Sequence, residues 1–536
     1  MKNIFQTPNK YRKFILDSKN LVSSNGEAYS GKSFICLFLT RFCGVGCPFC
    51  FFKSPPNKGT PDIRDSFTEE GVDHFIQFAN DANVGYLQIS GGGEPFLKKR
   101  ALLKCISEVN ADRIMLVTSG IWALDKNSAQ AYVENILEAI SKREKQARVS
   151  IRLSISEGHS FKLGVKPLVN LLQLFETSYR SHPYLTLQLK TFENDKTLWT
   201  FLDSLAHYDL KDIGENVSDD LVIEKIIPWK KKITFTSGYS TILGISRVFT
   251  PGLRPNLSNP SSLEDTIDVY DRDLEYSERN FPSVIFNSKG QRGLDWLVEY
   301  NGKVCTWQNR VQDNPLNVYE DDFEKTRNET FKDPLTLSYI EKGSLYRQNI
   351  ISEVSPRAVT LMKAVSVRDY AGNCLFEDEK VRLYYTIRVL QDYLKEKRVN
   401  ELTLKNLPKE LRDLIYGTQE TLITLYKKAQ YSIVDQEINR YPSFKEFRDF
   451  LELLKLGHFD VSEKQISQAI SYYNQYPECE EKISHLKEIA PEFGQDVEKR
   501  LTDRVIQIKP MKTLEASSDS KNQINKKTQI TYDLAG

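Results

Sequence analysis

Between Lys32 and about Ser237 short apolar runs alternate with amphipathic stripes, and this alternation restricts the fold more than any other feature of the chain. Phe34–Thr40, Val84–Ser90, Arg113–Thr118, Val149–Ile155 and Tyr184–Thr191 read as buried strands, with Lys232–Thr236 as a sixth. Thr68 offers an N-cap to a helix carrying Val72, Phe75, Ile76 and Ala79 on one side. Later stripes carry Val133, Ile136, Leu137 and Ile140, then Leu168, Leu171, Leu172 and Phe175, then Leu198, Phe201, Leu202 and Leu205. Strands alternating with helices imply a parallel sheet covered by helices. In such sheets the functional groups gather at the carboxyl ends of the strands.

Bulk composition narrows the function classes. With 536 residues, the chain exceeds one ordinary core and predicts two or three domains. Lys plus Arg number 73 and Asp plus Glu 72, a net charge of +1, so no global basic field points to nucleic acid. Only Lys230-Lys231-Lys232 makes a local basic patch. Three of the eight cysteines fall within Cys43–Cys50, which is not a disulfide framework in a chain this long, so the expected compartment is reducing. The first 31 residues hold no signal-like apolar run, and Phe34–Leu39 is far short of the ~20 residues needed to span a bilayer. A cytoplasmic protein without membrane contact is expected.

The strand ends carry the chemistry. The first strand runs into Cys43-Gly-Val-Gly-Cys47-Pro-Phe49-Cys50. Zinc would want a fourth nearby Cys or His, and no His lies between Met1 and Asp73. Four irons of a cubane need four terminal ligands, so three thiolates, Cys43, Cys47 and Cys50, leave one iron open to an exchangeable ligand. The second strand ends in Gly91-Gly92-Gly93-Glu94-Pro95, where the absence of side chains lets backbone carbonyls approach a ligand closely. Ser119 follows the third strand, Ser154, Ser156 and Glu157 the fourth, and Lys190 lies near the end of the fifth. These serve a bound ligand or are ordinary strand-end residues and a solvated lysine. The six histidines form no i,i+4 ligand pair, and only His159 lies near this rim.

The cysteine spacing and the Gly-Gly-Glu-Pro turn, each after its strand, resemble the radical S-adenosylmethionine enzymes over roughly residues 32–240. The resemblance implies a partial (β/α)6 barrel and one [4Fe-4S] cluster on Cys43, Cys47 and Cys50. It implies S-adenosyl-L-methionine closing the open iron site, with Phe49 against the adenine and Gly91, Gly92, Gly93 and Glu94 at the methionine amine. Ser119, Ser154, Ser156, Glu157 and Lys190 would hold ribose or carboxylate groups.

Beyond this region the pattern changes. Pro251, Pro255, Pro260 and Pro282 break the chain, and Asn301-Gly302 marks a hairpin before Val304-Cys305-Thr306-Trp307. Asn317-Val-Tyr-Glu-Asp-Asp resembles the tail of the SPASM and twitch extensions, which carry extra clusters on about four further thiolates. Here only Cys305 and Cys374 are at hand, so no auxiliary cluster is expected. Helical stripes follow from Glu379, including Leu383, Ile387, Leu390 and Leu394, then Phe447, Leu451 and Leu454. The expected fold is thus α/β, with an N-terminal extension (1–31), the barrel (32–240), an extended α+β region (241–378), a mainly helical domain (379–510) and a disordered tail (511–536).

Without a second cluster to take up an electron, a substrate radical is better quenched by hydrogen return from a thiol. The layout resembles the proteusin-type peptide epimerases, which implies Cα hydrogen abstraction from a ribosomal precursor peptide and inversion to D-residues. Cys374, after Ala371-Gly372-Asn373, and Cys305 are the candidate donors; Cys36 and Cys105 fall in core-forming elements and Cys479 in the distal helices. A reductase, flavodoxin or ferredoxin would supply electrons. Forming a C–C, C–S or C–O link in a peptide, modifying a tRNA, sugar or nucleotide, and a non-catalytic module stay as alternatives.

Overall fold

The computed structural model describes residues 3–24, 26–45, 66–156, 159, 162–192, 210–218, 226–235, 237–246, 286–306, 313, 315–354, 376 and 379–429. Strands β1 (Ser33–Phe38), β2 (Val84–Ser90), β3 (Arg113–Thr118), β4 (Arg148–Ser154) and β5 (Leu185–Phe192) match the first five expected strands. Between them lie α2 (Glu69–Asp81), α3 (Lys99–Glu108), α4 (Lys126–Ser141) and α5 (Lys166–Ser178), preceded by α1 (Pro8–Leu16). Thr68 caps α2 as expected, its Oγ1 accepting from Gly71 N at 3.0 Å. The helix carrying Leu198–Leu205 lies outside the described residues.

The protein is α/β, and among the described residues one mixed sheet of eleven strands includes β6 (Leu210–Ser218), β7 (Ile226–Phe235), β8 (Ser240–Ser246), β9 (Asp295–Val298), β10 (Lys303–Thr306) and β11 (Leu316–Asn317), in the order β11-β10-β9-β1-β2-β3-β4-β5-β8-β7-β6. Two features depart from expectation. Lys232 lies not in a sixth parallel strand but in β7 (Ile226–Phe235), an antiparallel arm paired with β6 (Leu210–Ser218) on one side and β8 (Ser240–Ser246) on the other. The turn at Gly238, φ +80°, reverses the chain, so β8 is the strand parallel to β5. Hydrophobic content alone does not distinguish a hairpin arm from a crossover strand. The second departure is that β9 (Asp295–Val298), beyond the expected boundary at 240, lies parallel to β1 on its other side. Among the described residues the parallel part of the sheet therefore has seven strands, β9-β1-β2-β3-β4-β5-β8, and the boundary drawn at 240 cuts through it.

Each step from β1 to β5 moves to the next position in one direction, and right-handed crossovers then put the connecting helices on one face. That face holds Ile35, Leu87, Leu116, Ile151 and Leu187, all at most 3% exposed. Phe78 of α2 meets Trp296 of β9 edge-on at 5.9 Å, and both meet Phe323. The opposite face is apolar at one end, where Phe34, Cys36, Phe38, Tyr86, Met115, Leu297 and Cys305 form a core cluster with Phe286 and Tyr300 packed against it.

The expected hairpin is present: β9 and β10 (Lys303–Thr306) pair antiparallel around Gly302, φ +81°. β11 (Leu316–Asn317) follows, and its Asn317 N donates to Asp321 Oδ2 at 2.8 Å. Asp322 caps α6 (Phe323–Lys332) by accepting from Lys325 N at 2.7 Å. Asp321 and Asp322 thus act locally here, one closing a turn and the other capping a helix.

Helices begin well before 379. α6 and α7 (Pro334–Val354) precede α8 (Glu379–Lys395), α9 (Glu401–Lys405), α10 (Lys409–Ile415) and α11 (Gln419–Lys428). The N-terminal segment is part of this layer rather than a separate extension. Val22 bridges Val399, and buried Arg12 on α1 pairs with Asp313 and Asp333, each at 2.8 Å. Among the described residues no helix is long and apolar enough to cross a membrane. The stripes beyond 429 and the tail from 511 lie outside the described residues.

Candidate active site

Strand ends β1 to β5 bring Cys43, Gly91–Glu94, Ser119, Ser154, Ser156 and Lys190 to one edge of the sheet. β1 delivers its chain into residues 41–45, including Cys43, and the loop that begins there is closed at its base. Thr40 bridges Ser66, with their hydroxyls 2.6 Å apart, and Phe67 N donates to Leu39 O at 3.0 Å. Departure and return of the cysteine loop are therefore pinned to the end of β1. Cys47, Phe49 and Cys50 lie outside the described residues.

The glycine turn packs directly on this loop. Glu94 N donates to Phe42 O at 2.7 Å, and a Cβ on Gly93 would stand 2.1 Å from that same oxygen, so only glycine fits there. Gly92 has φ +92°, and Gly91 joins it to β2. On the other side a Cβ on Gly44 would meet Ile121 Cδ1 at 2.6 Å. The residues around Cys43 are thus held between the turn after β2 and the turn after β3.

Glu94 is 2% exposed, and its carboxylate accepts four hydrogen bonds from its own chain. Oε1 accepts from Thr118 Oγ1 at 2.8 Å and Phe96 N at 3.2 Å; Oε2 accepts from Ser119 Oγ at 2.6 Å and Ser119 N at 2.8 Å. Four bonds match the roughly four lone-pair sites of a carboxylate, so the side chain is saturated. Burial pushes the Glu94 carboxyl above its ordinary range, and the four donors offset only part of that. Glu94 therefore ties the β2 turn to the end of β3. Thr118 Oγ1 also accepts from Trp122 Nε1 at 2.9 Å, and Trp122 stacks on Phe96 at 4.5 Å beneath the brace.

Ser119 and Ser154 line a small, half-open cleft with Leu153, His159, Leu163 and Leu168. Ser156, 1% exposed, pairs with His159 Nδ1 at 2.6 Å, which gives His159 a partner on the rim. Glu157 lies outside the described residues. Lys190 projects over β8, its Cδ 3.1 Å from where a Cβ on Gly244 would stand.

The thiols separate clearly. Cys305 is fully buried on β10 in the core cluster, on the sheet face opposite the helices, and Cys36 shares that face, accepting from Gln88 Nε2 at 3.7 Å. Cys105 is buried in α3, where burial pushes its thiol far up. Cys374 lies outside the described residues. Among the described residues no group of three His, Cys, Asp or Glu is arranged to hold a metal ion; of the three motif cysteines only Cys43 belongs to that set. Sequence reasoning missed Thr118, Trp122 and the Thr40–Ser66 clasp. Each stands next to a selected motif, but only the fold shows what its side chain reaches.

No family model matches the chain, and no curated protein matches it.

Proposed function

We propose that the chain is a radical S-adenosylmethionine enzyme that epimerises residues of a ribosomally made precursor peptide. The observation that carries the reading is the junction of the two motifs. The Cys43 loop leaves β1 and is hydrogen-bonded, through Phe42 O, to the Gly91–Glu94 turn leaving β2. Two motifs separated by some forty residues of chain share one wall, as a single bound group spanning both would need.

The residues present fit such a group. Cys43, Cys47 and Cys50 are soft thiolate ligands suited to an iron–sulfur cluster with one open corner. Gly92 and Gly93 sit where a side chain would be strained or blocked, so the backbone itself is what this turn presents to a ligand. When bound, the cluster and the sulfonium cofactor supply reductive carbon–sulfur cleavage and a carbon radical that removes an unactivated hydrogen. The chain orients the groups and excludes water. Glu94 fixes the turn and leaves the backbone of Gly91–Gly93 to meet the methionine amine; Ser154, Ser156 and Lys190 line the same edge. In this reading the singly wound sheet curls into a partial barrel and the face opposite the helices becomes its interior. Cys305 and Cys36 belong to that face, and Cys374 is the other candidate to return a hydrogen atom to the substrate Cα. A flavodoxin- or ferredoxin-type protein delivers the electrons, one for the cleavage and one that, with a proton, restores the thiol after its hydrogen has been given up.

The test uses anaerobically reconstituted chain with S-adenosylmethionine, reductant and a candidate precursor peptide in D2O. A mass gain of about one unit per altered residue, lost in Cys374→Ala or Cys305→Ala, is expected, because a thiol exchanges its hydrogen with solvent. Cofactor cleavage with a peptide of lowered mass would instead indicate crosslinking and overturn the epimerase reading.

A further inference from the structure

We infer that the sheet face opposite the helices carries, on β4 and β5, a carboxylate-binding subsite centred on Arg152 that grips an acidic group of the substrate. The inference rests on the proposed function in taking this face as the substrate chamber. Strand alternation assigns the face. Val149, Ile151 and Leu153 are at most 2% exposed toward the helices, so Ser150, Arg152 and Ser154 take the other side. Register carries the face across the sheet: Val117 pairs with Arg152 and Arg152 with Gln188, while Ser154 pairs with Lys190 and Lys190 with Gly244.

Arg152 is half-buried, and its Nε is shielded from solvent with no hydrogen-bond partner among the described residues. A buried guanidinium nitrogen without an acceptor is costly unless something supplies one. Lys190 adds a second cation one step nearer the rim, and the glycine at 244 leaves room for it, since a Cβ there would lie 3.4 Å from Nζ. Among the described residues, the positions of β4, β5 and β8 on this face hold three cations, Arg148 at the exposed start of β4, Arg152 and Lys190, and no carboxylate. At the other end the same face is apolar, with Phe34, Tyr86, Met115 and Leu297. A ligand with an apolar body and one anionic end suits such a surface, and the planar fork of an arginine suits a carboxylate.

The test is a ligand-observed NMR titration of the full chain, free of cluster and cofactor, with two probe pairs. N-acetyl-glutamic acid amide against N-acetyl-glutamine amide reports an acidic side chain; N-acetyl-alanine against N-acetyl-alanine amide reports a peptide carboxyl terminus. In one pair the charged member should bind about tenfold or more tightly, in keeping with a charge-assisted hydrogen bond, and salt should weaken it. Arg152→Gln should abolish that preference with unchanged thermal stability, and Lys190→Gln should reduce it. Equal binding within both pairs, or a preference that survives in Arg152→Gln, overturns the inference. So does a loss of stability in Arg152→Gln with the preference intact, which would mean that the guanidinium serves a carboxylate of this chain. Cofactor cleavage by the reconstituted wild type is scored separately, so failure of the radical reading and failure of the subsite give different results.

Discussion

Glu94→Gln tests the brace at the rim with almost no change of shape. Glutamine keeps one accepting oxygen, for Thr118 and Phe96, and places an amide NH2 where Oε2 accepts from Ser119 N at 2.8 Å and Ser119 Oγ at 2.6 Å. A hydrogen bond to a charged group is worth about 1.5–3 kcal/mol, so two lost bonds amount to about 3–6 kcal/mol. Removing the buried charge gives part of this back, since burial already pushes the carboxyl above its usual range. The net loss should be about 2–3 kcal/mol, or roughly 5–10 °C in Tm for a large domain. The assay is thermal unfolding of cluster-free protein for wild type, Glu94→Gln, Ser119→Ala and the double variant at neutral pH. The double variant should lose about 1 kcal/mol less than the sum of the singles, because one contact is removed twice. Glu94→Gln within about 0.5 kcal/mol of wild type, with additive effects, would refute the brace. The pH dependence has a definite sign. A carboxyl raised in the folded state destabilises as it ionises, so wild type should gain on Glu94→Gln as pH falls through the folded pKa toward the unfolded value.

Gly93→Ala should destabilise by about 2–3 kcal/mol and impair iron incorporation, because its Cβ would enter the Phe42 carbonyl and displace the chain leading to Cys43; urea melts and iron per chain report both. At Asp313 burial pushes the carboxyl up, but Arg12 and Arg382 outweigh it and hold it low. Its stabilisation is therefore present above the unfolded carboxyl pKa and lost as pH falls through the folded one. Asp313→Asn should lower Tm at pH 7, with the gap from wild type closing at acid pH. A gap independent of pH would remove the ion network from the account.

The first five strands were legible because each is a short apolar run bounded by turn residues, and α2, α4 and α5 because each has a clear apolar stripe, whereas α3 was not read from the sequence. β8 and β9 were not. Ser240–Ser246 is a mixed sequence, and Asp295–Val298 is only four residues long and gains its place by pairing with β1. Long-range pairing leaves little local trace. The motif residues were readable from spacing, whereas the role of the Glu94 side chain was not. A Gly-Gly-Glu-Pro string does not show that Thr118 and Ser119 arrive from the next strand to saturate the carboxylate. Arg152 was readable in principle, since Val149-Ser-Ile-Arg-Leu-Ser alternates with period two and exposes its polar positions on one face.

The most direct test of the central claim is electron paramagnetic resonance of the anaerobically reconstituted, dithionite-reduced chain with and without S-adenosylmethionine, alongside assay of 5′-deoxyadenosine. The account predicts about four irons per chain, a reduced-cluster signal that changes when the cofactor is added, and 5′-deoxyadenosine formation, all abolished in Cys43→Ala. A folded wild-type chain that takes up no iron, or that binds a cluster whose signal ignores the cofactor and forms no 5′-deoxyadenosine, would contradict it.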